Sequence, residues 1–148
     1  MKIGLAGQGA FGIKHLEAIR NIPGIEVITL TGGNQESTRE VAEKFGIPHY
    51  TGDLAESLKQ PGLEAMILAT PTQMHAKQAI QCLEAGKHVQ VEIPLADSLA
   101  DAEAVVKAQE KTGLVAMCGH TRRFNPSHQW IRKKIVAGEL KVLQMDVQ

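Results

Sequence analysis

The apolar run Lys2-Ile3-Gly4-Leu5-Ala6 leads directly into Gly7-Gln8-Gly9-Ala10-Phe11-Gly12. A stretch of strand length therefore meets a G-x-G-x-x-G turn, and the turn opens a segment with helical apolar spacing. Few folds accommodate such a junction, because its three glycines relieve three different steric conflicts. Gly7 permits a tight turn out of the strand, Gly9 has no Cβ to hold off a ligand, and Gly12 lets the helix press against the sheet. The N–H groups of the first helical turn, those of Ala10 and Phe11 included, then face outward with the positive end of the macrodipole behind them, which suits a phosphate. Isolated matches to this pattern also occur in turns that bind nothing, so its weight comes from the rest of the chain.

Strand and helix alternate regularly beyond this turn. A helix over 10–21, with Phe11, Leu16 and Ile19 sharing a buried face, turns at Pro23-Gly24 into a strand over 25–31. Gly32-Gly33-Asn34 breaks that strand, and a helix over 36–45 ends at Gly46 with Pro48 beyond it. A short strand over 49–51 and a brief helix capped by Asp53 lead to the continuous apolar run Ala65-Met66-Ile67-Leu68-Ala69, which suits a sheet covered on both faces. A helix over 73–85, a strand over 88–91, a helix opened by a Ser98…Asp101 capping box and a buried strand over 114–118 complete the series. Leu99, Ala102, Val105 and Val106 would form the inward stripe of that last helix. The expected fold is α/β, a doubly wound parallel sheet of Rossmann type.

Residues 1–125 fit one dinucleotide-binding domain. The chain then changes character: 126–137 reads as a basic helix ended by Gly138, and 140–148 alternates like a strand exposed on one face. A strand left there unpaired is an unmanaged edge. We therefore expect 126–148 to be a linking helix and the first strand of a truncated second domain, of α+β type, that holds the substrate.

Lysine plus arginine and aspartate plus glutamate both number 16, so no charge excess recruits nucleic acid or an anionic membrane. A small-molecule partner is the default. Cys82 and Cys118 lack metal or redox spacing and read as packing residues of a reducing compartment, with no metal site implied. No apolar run reaches the roughly 18 residues of a membrane span, and no signal segment precedes Lys2, so the expected location is cytoplasmic.

In an open parallel sheet the ligand lies beyond the carboxyl ends of the strands, so the loops there carry the site. After the second strand, an NAD-preferring turn would place an acid on the ribose hydroxyls, whereas this chain has Gly32, Gly33 and Asn34. No carboxylate repels a 2′-phosphate there, and Asn34, Ser37, Thr38 and Arg39 offer donors, so NADP is favoured with NAD possible. The alternative is an ordinary glycine turn. Thr70-Pro71 ends the apolar strand where the nicotinamide half would pass, and His75 either lines the cleft or bonds backbone. Glu92, Ile93 and Pro94 end the next strand where catalytic groups gather. His120, Thr121, Arg122 and Arg123 follow the last core strand; paired arginines suit a dicarboxylate substrate, and in the plainer reading Arg123 anchors the next helix.

Gly7-Gln8-Gly9-Ala10-Phe11-Gly12, Thr70-Pro71…His75 and Ala85-Gly86-Lys87-His88-Val89…Glu92…Pro94 together resemble the Gfo/Idh/MocA oxidoreductases over essentially the whole chain. That resemblance implies a nicotinamide-dependent dehydrogenase, a homo-oligomer at full length, with cofactor contacts at Gly7, Gly9, Ala10, Phe11, Gly12, Gly33, Asn34, Thr70, Pro71, His75, Glu92 and Ile93. The family's third motif normally reads Glu-Lys-Pro, its lysine beside the hydroxyl that loses a proton. Ile93 stands in that place, which opposes sugar or cyclitol dehydrogenation. The longer runs 70–76, 89–98 and 119–129 resemble a branch that oxidises the cyclic hemiacetal of a ring-cleavage semialdehyde to a pyrone dicarboxylate with NADP. A hemiacetal hydroxyl is more acidic than a sugar alcohol and its oxidation to a lactone is strongly downhill, so a lysine is dispensable. A sugar or cyclitol dehydrogenase and a nonenzymatic dinucleotide-sensing module stay open as alternatives. No general base is assignable within the chain.

Overall fold

Ile3, Gly4, Leu5 and Ala6 pair in parallel with Ala65, Met66, Ile67 and Leu68, and Ala6 also pairs with Thr31 on its other side. This first strand is the centre of the molecule. The computed structural model describes residues 1–144, in the order β1 (Lys2–Ala6), α1 (Ala10–Ile19), β2 (Glu26–Thr31), α2 (Gln35–Phe45), β3 (His49–Thr51), α3 (Leu54–Ser57), β4 (Ala65–Leu68), α4 (Thr72–Glu84), β5 (His88–Val91), α5 (Leu99–Thr112), β6 (Ala116–Cys118), a 3-10 turn (Thr121–Phe124) and α6 (Pro126–Val136). All six strands run parallel in the order β3-β2-β1-β4-β5-β6. The order reverses between β1 and β4, which puts the crevice for a ligand at their carboxyl ends.

Two apolar layers cover the sheet. Ile3, Leu5, Leu30 and Ile67 pack with Leu16, Ile19 and Ala42 of α1 and α2. Ala6, Met66, Leu68, Val89 and Val91 pack on the opposite side with Ala79, Cys82, Leu83 and Val105 of α4 and α5. Met66 and Leu68 thus face one layer and Ile67 the other, which is why β4 is apolar without alternation. Each fully buried leucine among these contributes about 2–3 kcal/mol of transfer free energy. The buried hydroxyls of β2 are satisfied internally, since Thr29 and Thr31 both bond Ser57 Oγ, at 2.8 and 2.7 Å.

Helix ends follow local chemistry. Asn34, Asp53, Ser98 and Asn125 each accept an N–H of their helix's first turn, and Gly46 and Gly113 close α2 and α5 in the left-handed region. The reciprocal contact of the Ser98 box is the Ser98 hydroxyl donating to Asp101 Oδ2.

Four expectations need correction. Phe11 is 69% exposed, because the first turn of α1 stands beyond the carboxyl end of the sheet and has no strand to pack on. Leu99 and Val106 are exposed as well, since α5 touches the core through Val105 and the partly buried Ala108. The sixth strand is three residues long and lies at the sheet edge, with Val115 and Met117 turned to solvent rather than buried. The strand expected over 140–148 does not form over 140–144, where no sheet partner stands beside it; 145–148 lie outside the described residues. Among the described residues α6 buries no side chain, and no helix is long and apolar enough to cross a membrane.

Candidate dinucleotide site

The turn between β1 and α1 is built by its glycines. Gly7 adopts φ +110°, and a Cβ on it would stand 2.3 Å from the Ala69 carbonyl oxygen, so the turn packs directly on the end of β4. A Cβ on Gly12 would stand 1.8 Å from the Gly7 carbonyl oxygen. Gly12 therefore sets how closely α1 approaches the turn, and it lies beneath the cleft rather than in its wall. Gly9 differs from both: a Cβ there meets nothing within 4 Å, and the space it leaves open is the cleft. The first intrahelical bond of α1 runs from Ile13 N–H to the Gly9 carbonyl at 3.0 Å, and no side chain caps the helix. The N–H groups of Ala10, Phe11 and Gly12 precede that bond, and they open where Gly9 leaves room.

A cleft of about 970 Å³ runs from this turn to the ends of β2, β3 and β4. Gly7, Gly9, Ala10, Phe11, Gly33, Thr70 and Pro71 line it, as do Gln8, Ser37, Asp53 and Lys77, none of which except Ser37 the sequence reading placed there. A smaller cavity of about 400 Å³ continues from Phe11, Thr70 and Pro71 to His75, Glu92, Ile93, Thr121 and Arg122. Apart from Gly12 and Asn34, the cofactor candidates thus share one continuous groove with Thr121 and Arg122 of the substrate set. His120 and Arg123 do not line it. The Arg123 carbonyl instead accepts a bond from Gln129 of α6 at 3.2 Å.

Asn34, Thr38 and Arg39 are also absent from the cavity wall. Asn34 Oδ1 accepts the Ser37 N–H at 3.0 Å, and the Thr38 hydroxyl, fully buried, donates to the Asn34 carbonyl. Asn34 Oδ1 and the Thr38 hydroxyl are thus engaged in starting α2, which corrects the expectation that Thr38 offers a donor to a ligand, while the exposed Arg39 stands outside the cavity wall. Helix capping and ligand binding draw on the same residue types, so sequence alone does not separate them.

His75 is 1% exposed, with Nδ1 2.7 Å from the Pro94 carbonyl oxygen and Nε2 2.8 Å from that of Thr70. It ties the loop after β4 to the loop after β5 and so fixes the width of the smaller cavity. Glu92 is held by His15, Nε2 to Oε1 at 2.8 Å, both largely buried. His15 escaped the sequence reading because its partner is 77 residues away. Ile93, 47% exposed, presents an alkyl group at this point of the groove. Burial pushes the Cys82 thiol up to about 12, and burial foremost raises that of Cys118. Among the described residues no cluster of His, Cys, Asp or Glu is placed to hold a metal ion.

A parallel sheet in Rossmann order, with a glycine turn and open helix N-terminus at its switch point, defines a nicotinamide-dinucleotide-binding domain. Residues 1–120 match the family model described as "Oxidoreductase family, NAD-binding Rossmann fold", and the chain belongs to that Gfo/Idh/MocA family. It is 62% identical over all of its residues to the 4-carboxy-2-hydroxymuconate-6-semialdehyde dehydrogenase of Sphingobium sp. (strain NBRC 103272 / SYK-6), covering 47% of that protein. It is 32% identical over 93% of its length to scyllo-inositol 2-dehydrogenase (NAD(+)) of Bacillus subtilis (strain 168), covering 40% of it. The crystal structure of a probable dehydrogenase from Thermotoga maritima superposes with a TM-score of 0.88 at 27% identity, over 93% of this chain and 41% of that one. The chain spans less than half the length of these relatives.

Proposed function

We propose that the full-length protein oxidises the cyclic hemiacetal of 4-carboxy-2-hydroxymuconate-6-semialdehyde to 2-pyrone-4,6-dicarboxylate, with NADP preferred to NAD. The observation that carries the reaction is the 62% identity over the whole chain to the Sphingobium enzyme of that name, and the NADP preference rests on the lack of a carboxylate at Gly32-Gly33-Asn34. Bound NADP supplies the hydride acceptor. The residues of this chain bind and orient: the first-turn N–H groups of α1 take the pyrophosphate, Gly33 and Ser37 flank the ribose, and Thr70 and Pro71 border the nicotinamide. Arg122 faces a substrate carboxylate across the smaller cavity, where a guanidinium gives bidentate pairing. Ile93 leaves the reacting hydroxyl without an ammonium neighbour. The hydroxyl proton therefore passes to a base supplied by the second domain, whose beginning we assign to 126–148.

The 32% identity to scyllo-inositol 2-dehydrogenase favours a second reading, polyol oxidation, which Ile93 opposes. The experiment is a spectrophotometric assay of the full-length protein with NADP and either the semialdehyde or a panel of cyclitols and sugars. NADPH formation with the semialdehyde alone is expected. Turnover restricted to polyols selects the second reading, and tight cofactor binding with no turnover on any hydroxyl or hemiacetal makes the protein a dinucleotide sensor.

A further inference from the structure

We propose that Gln8, the second residue of the glycine turn, sets the choice between the two nicotinamide dinucleotides; this rests on the larger cleft taking a dinucleotide. The side chain reaches across the cleft floor to the opposite loop. Its Nε2 donates to Ser37 Oγ at 3.2 Å, and its Oε1 accepts the Gly33 N–H at 3.3 Å. Gln8, Gly33 and Ser37 all line the cleft. An independent observation shows that space is kept for this bridge. A Cβ on Gly32 would stand 2.0 Å from Thr38 Oγ1, 2.6 Å from Gln8 Oε1 and 2.8 Å from Gln8 Cδ, so a side chain at position 32 would displace the Gln8 amide as well as the buried Thr38 hydroxyl.

The loop's own side chains leave this role vacant. Asn34 Oδ1 is consumed by the Ser37 N–H, and the Thr38 hydroxyl by the Asn34 carbonyl. At the carboxyl end of β2 the Gln8 amide accepts the Gly33 N–H and donates to Ser37 Oγ, whose own hydrogen goes to the Asn34 carbonyl at 3.3 Å, all through bonds long enough to exchange readily. The amide is neutral and carries donor and acceptor together. Its oxygen serves a ribose hydroxyl of NAD, as the missing acid would, without adding a charge that repels a 2′-phosphate. When it swings aside, the Gly33 N–H becomes a free donor for that phosphate, and the Ser37 hydroxyl can turn its hydrogen from the Asn34 carbonyl, 3.3 Å away, towards it. Selectivity at this loop thus depends on the charge of the residue at position 8, which belongs to a different loop.

Two variants of the full-length protein test this by titration calorimetry with NADP and NAD. Gln8→Glu keeps the length and the bridging oxygen but places a carboxylate beside the 2′-position. It is expected to raise the ratio of Kd for NADP to Kd for NAD at least tenfold, with a larger effect at low ionic strength. Gln8→Ala removes the ribose acceptor and frees the Gly33 N–H, and is expected to move the ratio the other way, about threefold. Should Gln8→Glu fail to fold, the alanine variant decides by the direction of its ratio. Equal weakening of both dinucleotides, or an unchanged ratio, would overturn the proposal and leave Gln8 a loop brace only. Failure of the unsubstituted protein to bind either dinucleotide would instead refute the assignment of the cleft, and the proposal with it.

Discussion

Gly9 and Gly12 stand three residues apart in one turn, and the structure gives them opposite consequences on substitution. At Gly12, a Cβ would be 1.8 Å from the Gly7 carbonyl oxygen, 2.9 Å from its carbon and 3.2 Å from Leu5 Cδ2. The obstacle is backbone and does not rotate away, so α1 must retreat by well over an ångström. Overpacking of this kind costs about 3 kcal/mol at the upper end of its range, and alanine's better helix propensity returns about 1 kcal/mol. Gly12→Ala should therefore lose about 2 kcal/mol, or about 4–8 °C in Tm for a domain of this size. At Gly9, φ is −74° and ψ −172°, open to any residue, and nothing lies within 4 Å of the added Cβ. Gly9→Val loses only about 1 kcal/mol of N-cap preference. It fills the approach to the Ala10 and Phe11 N–H groups, though, and two charge-assisted bonds lost there amount to about 3 kcal/mol or more, beyond 100-fold in Kd. Thermal unfolding without ligand and calorimetry with NADP separate the two effects. Binding by Gly9→Val within threefold of the parent would refute the phosphate seat. A Gly12→Ala variant melting no lower than Gly9→Val would refute the close-approach argument.

Gly33→Asp meets no steric obstacle, since its Cβ faces open space, and should shift preference towards NAD by about 1–2 kcal/mol, read by calorimetry with both cofactors. Cys82 retains its proton in the folded chain up to about pH 12, against 9.0 ordinarily, while the unfolded chain releases it near pH 9. The unfolded state then binds fewer protons, so stability falls by about 1.4 kcal/mol per pH unit above pH 9; urea unfolding at rising pH should show that slope, and Cys82→Ala should lack it. His15→Ala leaves the largely buried Glu92 carboxylate without its partner and should cost about 1.5–3 kcal/mol in urea unfolding. Lys14→Ala, which removes the exposed pair with Glu17, should cost about 0.5 kcal/mol or less.

What could be read from the sequence was what depends on neighbours in the chain. The junction from β1 into Gly7, the closures at Gly46 and Gly113, and the caps at Asp53 and Ser98 each depend on a few consecutive residues, and each stands where the pattern placed it. Helical spacing, by contrast, reports which residues share a side of a helix and not whether anything lies against it. Phe11 falls in line with the buried Leu16 and Ile19, yet the sheet ends below it and the ring becomes a wall of the groove. Leu99 and Val106 are apolar without a neighbour for the same reason.

The site divides along the same boundary. The glycine turn was legible because its steric demands are local, while the partners that complete it were not. Gln8 bonds Ser37 from 29 residues away, and His15 bonds Glu92 from 77. Neither contact leaves a mark in the spacing of nearby residues. For Gln8 one trace does exist in hindsight. Gly32 lies between β2 and its helix, shows no positive φ, and packs against Gln8 and the Thr38 hydroxyl, so no left-handed turn demands a glycine there. A glycine that the backbone does not require marks a place where another group comes close. At the carboxyl end of β2 that group is the Gln8 side chain, which lines the cleft together with Gly33 and Ser37.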